Sequence, residues 1–157
     1  MKIAIVGAGP TGLAAALFLA EAGFNPTIFE RFDAPKAIGS GLMIQPTGLS
    51  CLADLGLSEA AIEHSARIEG IYGDTPKGKV IFDIPYDVLG GTSFALGMHR
   101  GVLFDVLFEK LSSLNLAVET SHRIVDCLQS DQEAWLLRED ATEIGPFDLV
   151  IDASGTG

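Results

Sequence analysis

The chain has 157 residues, 48% of them hydrophobic, and a formal net charge of −11 from 21 Asp and Glu against 10 Lys and Arg. That apolar content is enough to build a core and excludes a disordered chain. The acidity argues against nucleic-acid and anionic-membrane surfaces, which need clustered Lys and Arg.

Residues 2–6 form a short β-branched run, the pattern of a buried parallel strand. A glycine turn follows, then an Ala/Leu-rich helix over 11–23 that Gly23 stops from the C′ position. Residues 26–30, "PTIFE", read as a second strand ending at Glu30. Strand, helix and strand within about 30 residues make a right-handed βαβ unit. Residues 31–45 read as loop, with Pro35, Gly39 and Gly41. Pro46 suits the first turn of a helix to about Leu55, stopped by Gly56, and Ser58 is placed to cap a second short helix. From Ile68 the pattern turns to strands, an antiparallel hairpin of 67–73 and 79–85 with its turn near Thr75 to Gly78. Arg100 opens another helix, in which Leu103, Leu107 and Leu111 recur every four residues. Residues 115–120 read as a strand, 123–130 and 134–140 as a second hairpin, and 148–151 as the last strand. Strands 2–6, 27–30, 116–119 and 148–151 are expected in one sheet.

The most specific motif is "GAGPTG", Gly7-Ala8-Gly9-Pro10-Thr11-Gly12, set between a strand and a helix. Gly7 permits the tight turn, Gly9 lets backbone approach a pyrophosphate, and Gly12 lets helix and strand pack closely. The helix N-terminus then offers unpaired N–H groups and a positive dipole end. Glu30, at the tip of the second strand, is positioned to accept both hydroxyls of an adenosine ribose and to disfavour a 2′-phosphate. This register of strand, glycines, helix and carboxylate predicts dinucleotide binding, with FAD and NAD both open.

The stretch "IAIVGAGPTGLAAALFLAEAGFNPTIFER" resembles the opening of flavoprotein monooxygenases of the para-hydroxybenzoate hydroxylase type, including its closing Glu30-Arg31 pair. "IGSGLMIQPTGLSCLADLGL" is similar to that family's glycine loop and following helix, and "MHRGVLFDVL" to its helix-opening arginine with spaced leucines. The resemblance implies an α/β, Rossmann-like FAD-binding fold, a βαβ unit and parallel sheet with inserted antiparallel strands. It also implies an incomplete domain, residues 1–157 being its N-terminal part and 68–98 contributing to a substrate-covering β region. FAD is then expected at Gly7 to Gly12, Glu30 and Arg31. Arg100, Gly41 and backbone at Met43 are expected to reach the same cofactor, and Gly155 in the final turn to approach it closely. A guanidinium at a helix start can pair with a diphosphate, which agrees with the implied role of Arg100.

The implied activity is hydroxylation of a small, aromatic-type substrate, with NAD(P)H as reductant and dioxygen as co-substrate. The flavin carries that chemistry, so no catalytic side chain is assigned. His64, His99 and His122 have no metal spacing, and Ser154 lies in no nucleophile motif. Relatives commonly carry Ala-Asp-Gly where this chain has Ala153-Ser154-Gly155. That departure keeps a flavin-dependent halogenase or an FAD-dependent reductase open as alternatives, and a non-catalytic nucleotide-binding module is the alternative of another class. A disulfide-reductase flavoprotein is set aside, since Cys51 has no neighbouring cysteine. Cys51 and Cys127 form no CxxC spacing, so a reducing, cytoplasmic setting is expected. Gly7, Gly9 and Pro10 interrupt the opening apolar run, and no stretch reaches the roughly 18–20 apolar residues of a membrane span. The remainder of the same polypeptide is expected to follow Gly157, and the partner is expected to be a small molecule.

Overall fold

The computed structural model describes residues 1–36, 39–90 and 93–155. The chain forms two compact units, Met1–Ala37 with Leu107–Gly157, and Ile38–Val106. Among the described residues no helix is long and apolar enough to cross a membrane.

The first unit is built on a four-stranded sheet ordered β12-β1-β2-β8, from Leu149–Asp152, Ile3–Val6, Thr27–Phe29 and Ala117–Glu119. All three pairings are parallel, as expected for these four segments. Side chains alternate across a strand, so β1 divides its burial between two faces. Ala4 and Val6 face a cluster with Phe29 and Val150, completed by Leu136, Ile124, Ile144 and Phe147. The last four come from an antiparallel three-stranded layer, β9 (Ile124–Gln129), β10 (Ala134–Arg138) and β11 (Glu143–Phe147). Ile3, Ile5 and Ile28, all at 2% exposure or less, point to the opposite face. There α1 (Pro10–Glu21) packs through Gly12, Leu13, Ala16 and Leu17. The sheet is therefore a middle layer, apolar on both sides, which explains its β-branched strands.

Local chemistry ends the helices as expected. After α1, Gly23 takes φ +85° and donates to the Ala20 carbonyl at 2.9 Å, while Phe24 donates to Leu19 at 2.9 Å. This double bond pattern is a Schellman stop. Gly56 repeats it after α2 (Pro46–Asp54), with Leu57 donating to Leu52 at 2.7 Å.

The second unit holds α2, α3 (Ser58–Glu63) and two small antiparallel sheets. One sheet is ordered β3-β7-β4, from Gly41–Ile44, Ala95–His99 and Ala66–Ile68. The other is the hairpin of β5 (Gly70–Asp74) and β6 (Val80–Pro85), closed by Gly78 at φ +76° and a Thr75 hydroxyl that accepts from Lys79 N–H at 3.1 Å. A 3₁₀ turn, Tyr86–Leu89, leads away from the hairpin. The helix α4 (Arg100–Ser113) spans the boundary of the two units.

Four sequence expectations need correction. Residues 41–44 are strand, not loop, because β7 supplies hydrogen bonds from more than 50 positions away and offsets the turn-forming glycines. The expected strand over 67–73 is two: β4 joins β7 and β5 joins β6. At the break, a Cβ on Gly70 would sit 2.9 Å from the Ile84 oxygen, so only glycine passes. The second hairpin gains a third strand, β11, which pairs β10. Ser58 is the first residue of α3, not its cap; Leu57 occupies that position, its N–H already spent on the α2 stop.

Leu136 is fully buried between the sheet and the antiparallel layer. Leu136→Ala is expected to cost about 2–5 kcal/mol, read from urea unfolding followed by fluorescence of Trp135, the one tryptophan.

Candidate functional site

The carboxyl ends of β1, β2 and β12 converge on the Gly7–Gly12 turn. Gly7 takes φ +102°, and its N–H donates to Phe29 at 2.8 Å, tying the turn to β2. A Cβ on Gly7 would lie 2.6 Å from the Ala153 oxygen, and one on Gly12 would collide with the Gly7 carbonyl. Both glycines are therefore required by the protein's own packing.

Gly9 differs. Its φ of −74° is ordinary, and no atom lies within 4 Å of where its Cβ would be. Gly9 is the N-cap of α1, with no side chain capping the first turn, and Pro10 follows at a first-turn position where no N–H is needed. The open space over Gly9 and the uncapped first turn form a cradle fitted to a phosphate ester.

Glu30 is the one buried charged residue among the described residues, at 7% exposure. Its Oε2 accepts from Ala8 N–H at 2.7 Å and its Oε1 from Phe32 N–H at 3.0 Å. The backbone around it is held as well: Glu30 N–H donates to Glu119 at 2.8 Å, and His122 N–H to the Glu30 carbonyl at 2.8 Å. A carboxylate has about four acceptor sites, so two stay available for hydroxyl donors. Arg31 is exposed, its guanidinium 4.9 Å from the Phe32 ring centroid.

Beyond β12 the chain turns tightly. Asp152 Oδ1 accepts from Ser154 N–H at 2.9 Å, and Gly155 takes φ +73° with open space around its Cβ position. The Ser154 hydroxyl, and then its N–H, hold the Asp152 carboxyl below its ordinary value of 3.8. With the folded pKa depressed, this contribution to stability is complete above that value and is lost as pH falls through the lower folded one.

Gly41, Met43 and Arg100 belong to the second unit and are described within it. Gly41 and Met43 lie on β3 and line an open groove of about 830 Å³ together with Glu63, His64 and His99. Arg100 is exposed and, among the described residues, has no acidic partner within ion-pair distance, although acidic residues outnumber basic ones two to one. Its side chain runs along Gly39, where a Cβ would be 2.8 Å from Arg100 Cδ and φ is +127°. His99 Nδ1 accepts from Gly101 N–H at 3.1 Å, capping α4. His64 and His99 thus border a groove, which no sequence spacing signalled, because strands β3 and β7 meet only in the fold. Across the hairpin, Ile71 pairs with Ile84 and Gly73 with Phe82 on one face, while Tyr72 pairs with Asp83 on the other. Phe94 stacks under the Arg67 guanidinium, which lies 4.0 Å from the ring centroid.

A parallel sheet, a glycine-built β–α turn and a buried carboxylate ending the second strand are the architecture of a dinucleotide-binding fold. The chain belongs to the FAD binding domain family, which it matches over residues 1–153. It is 36% identical over 81 residues to an FAD-dependent urate hydroxylase of Mycolicibacterium vanbaalenii, covering 48% of this chain and 20% of the relative. It is 32% identical over 114 residues to 6-hydroxynicotinate 3-monooxygenase of Pseudomonas fluorescens, covering 70% of this chain and 30% of the relative. The crystal structure of CtdE in complex with FAD and its substrate superposes with a TM-score of 0.78 at 23% identity, covering 99% of this chain and 38% of that one. The matches thus span well under half of these proteins' lengths. The FAD-type fold expected from the motifs stands.

The two kinds of glycine separate experimentally. Gly12→Ala is expected to destabilise the protein by about 1–3 kcal/mol through overpacking, whereas Gly9→Ala is expected to change stability by no more than about 1 kcal/mol, the worth of an N-cap position. Thermal melts without ligand check both.

Proposed function

We propose that this chain is the FAD-binding portion of a flavoprotein monooxygenase that uses NAD(P)H and dioxygen to hydroxylate a small aromatic substrate. The observation that carries the reading is Glu30. A buried, ionisable side chain held by two amides, with acceptor sites left over, is suited to the ribose diol of an adenine dinucleotide. The names of the relatives, hydroxylases and monooxygenases, support the reaction type.

In this reading the amides of the Ala8–Gly12 turn and the α1 dipole hold the diphosphate, with Pro10 and Thr11 shaping the first turn. Gly9 leaves room for it to approach. Arg31 borders the ribose, while Gly41, Met43 and Arg100 serve the flavin end and Gly155 the turn beside the diphosphate. FAD supplies the redox chemistry when bound; the protein binds it, orients it and excludes water. No side chain of this chain is given a proton-transfer role. The hairpin Gly70–Pro85, whose Val80, Phe82 and Ile84 are 40–49% exposed, serves the substrate-covering β region with the remainder of the polypeptide.

The intact protein is expected to purify yellow with flavin absorption, and to oxidise NAD(P)H faster when its aromatic substrate is present, yielding a hydroxylated product. Flavin reduction without hydroxylation would point to a reductase, and a colourless protein that binds only nucleotide to a non-catalytic module. Glu30→Ala is expected to weaken FAD binding about 10- to 100-fold, the worth of hydrogen bonds to a charged group, measured by quenching of flavin fluorescence. Gly9→Ala is expected to weaken it as well, while leaving the apo-protein folded.

A further inference from the structure

The turn after β12 is tied both to β1 and to the glycine turn that follows it. Val6 and Asp152 are register partners in the sheet, and Ala153 N–H donates to the Val6 carbonyl at 2.9 Å. Ala153 then fits between two glycines of the neighbouring turn. Its oxygen lies 2.6 Å from the Cβ position of Gly7, and its own Cβ 3.4 Å from that of Gly12. Immediately beyond, the Asp152 side chain reaches forward over Ala153 to accept from Ser154 N–H. The side chain closes a loop around Ala153, which with the Ser154 Cα, 3.1 Å from the Gly7 Cβ position, walls the glycine turn.

We infer that Asp152 is a positioning residue for the diphosphate site, holding Ala153 against Gly7 and Gly12 through its hydrogen bond to Ser154. It acts as an acceptor rather than as a charge. A carboxylate near a bound diphosphate repels it, so the benefit comes from fixing the turn, and a neutral acceptor of the same length does the same work. Without the acceptor, Ser154 N–H turns to water and Ala153 loses its outer restraint. The turn that Gly7 must meet at close range then samples more conformations, and ordering it falls to the ligand.

This inference rests on the FAD reading, and the experiment separates the two. FAD affinity of the intact protein is measured by flavin fluorescence for the wild type, Asp152→Ala, Asp152→Asn and Asp152→Glu, with apo-protein melts alongside and ADP as a second ligand. Asp152→Ala is expected to weaken FAD and ADP together by about 3- to 10-fold, the worth of one hydrogen bond. Asp152→Asn is expected to bind as tightly as wild type or tighter, and Asp152→Glu, which keeps the charge but misplaces the oxygen, to behave like Asp152→Ala. Should Asp152→Ala not fold, the contrast between the Asn and Glu variants decides. Wild-type affinity in the Ala and Glu variants overturns the assignment, as does an Asn variant as weak as Ala or a loss for FAD without one for ADP. A wild-type protein that binds ADP but no FAD overturns the FAD reading instead.

Discussion

The carboxyl end of the parallel sheet depends on the buried carboxylate of Glu30. Burying a charge is costly unless hydrogen bonds replace its water, and here two amides do so, from Ala8 in the glycine turn and Phe32 in the loop after β2. One side chain therefore fixes three things together: the path of the turn after β1, the exit of the chain from β2 and the direction of the remaining acceptor sites. Loops from β8 close around the same point, with Ser121 N–H donating to Phe32 at 2.8 Å and His122 N–H to Glu30. The carboxylate thus has a structural role whatever else it binds.

Glycine serves two different ends at this site. Gly7 and Gly12 are small because protein atoms already occupy the space where a side chain would go. Gly9 is small although nothing beyond its chain neighbours crowds it, so the protein's own packing does not demand glycine there. The GxGxxG spacing cannot separate the two roles, since all three positions carry the same residue. Distances to Ala153 and to the Gly7 carbonyl separate them.

Arg100 is one of several cations without an acidic partner among the described residues, and its stem runs along Gly39. The hairpin leaves Val80, Phe82 and Ile84 40–49% exposed, apolar area that gains nothing from water.

The first βαβ unit, both Schellman stops and the four members of the parallel sheet were legible in the sequence. Their signals are local: β-branched runs, glycines at C′, and a turn whose chemistry spans six residues. Strands β3, β7 and β11, the split of 67–73 at Gly70 and the groove bordered by His64 and His99 were not. Each depends on hydrogen bonds or walls supplied by residues distant in the chain, and a segment such as Gly41–Ile44 has too few residues and too much turn character to declare itself alone. Residue types determined that Glu30 and Gly9 would stand at a dinucleotide turn. Only the fold decided that Ala153, almost 150 positions from Gly7, is the surface against which that turn is built, because the order and register of strands within the expected sheet are set by long-range contacts that no local pattern encodes.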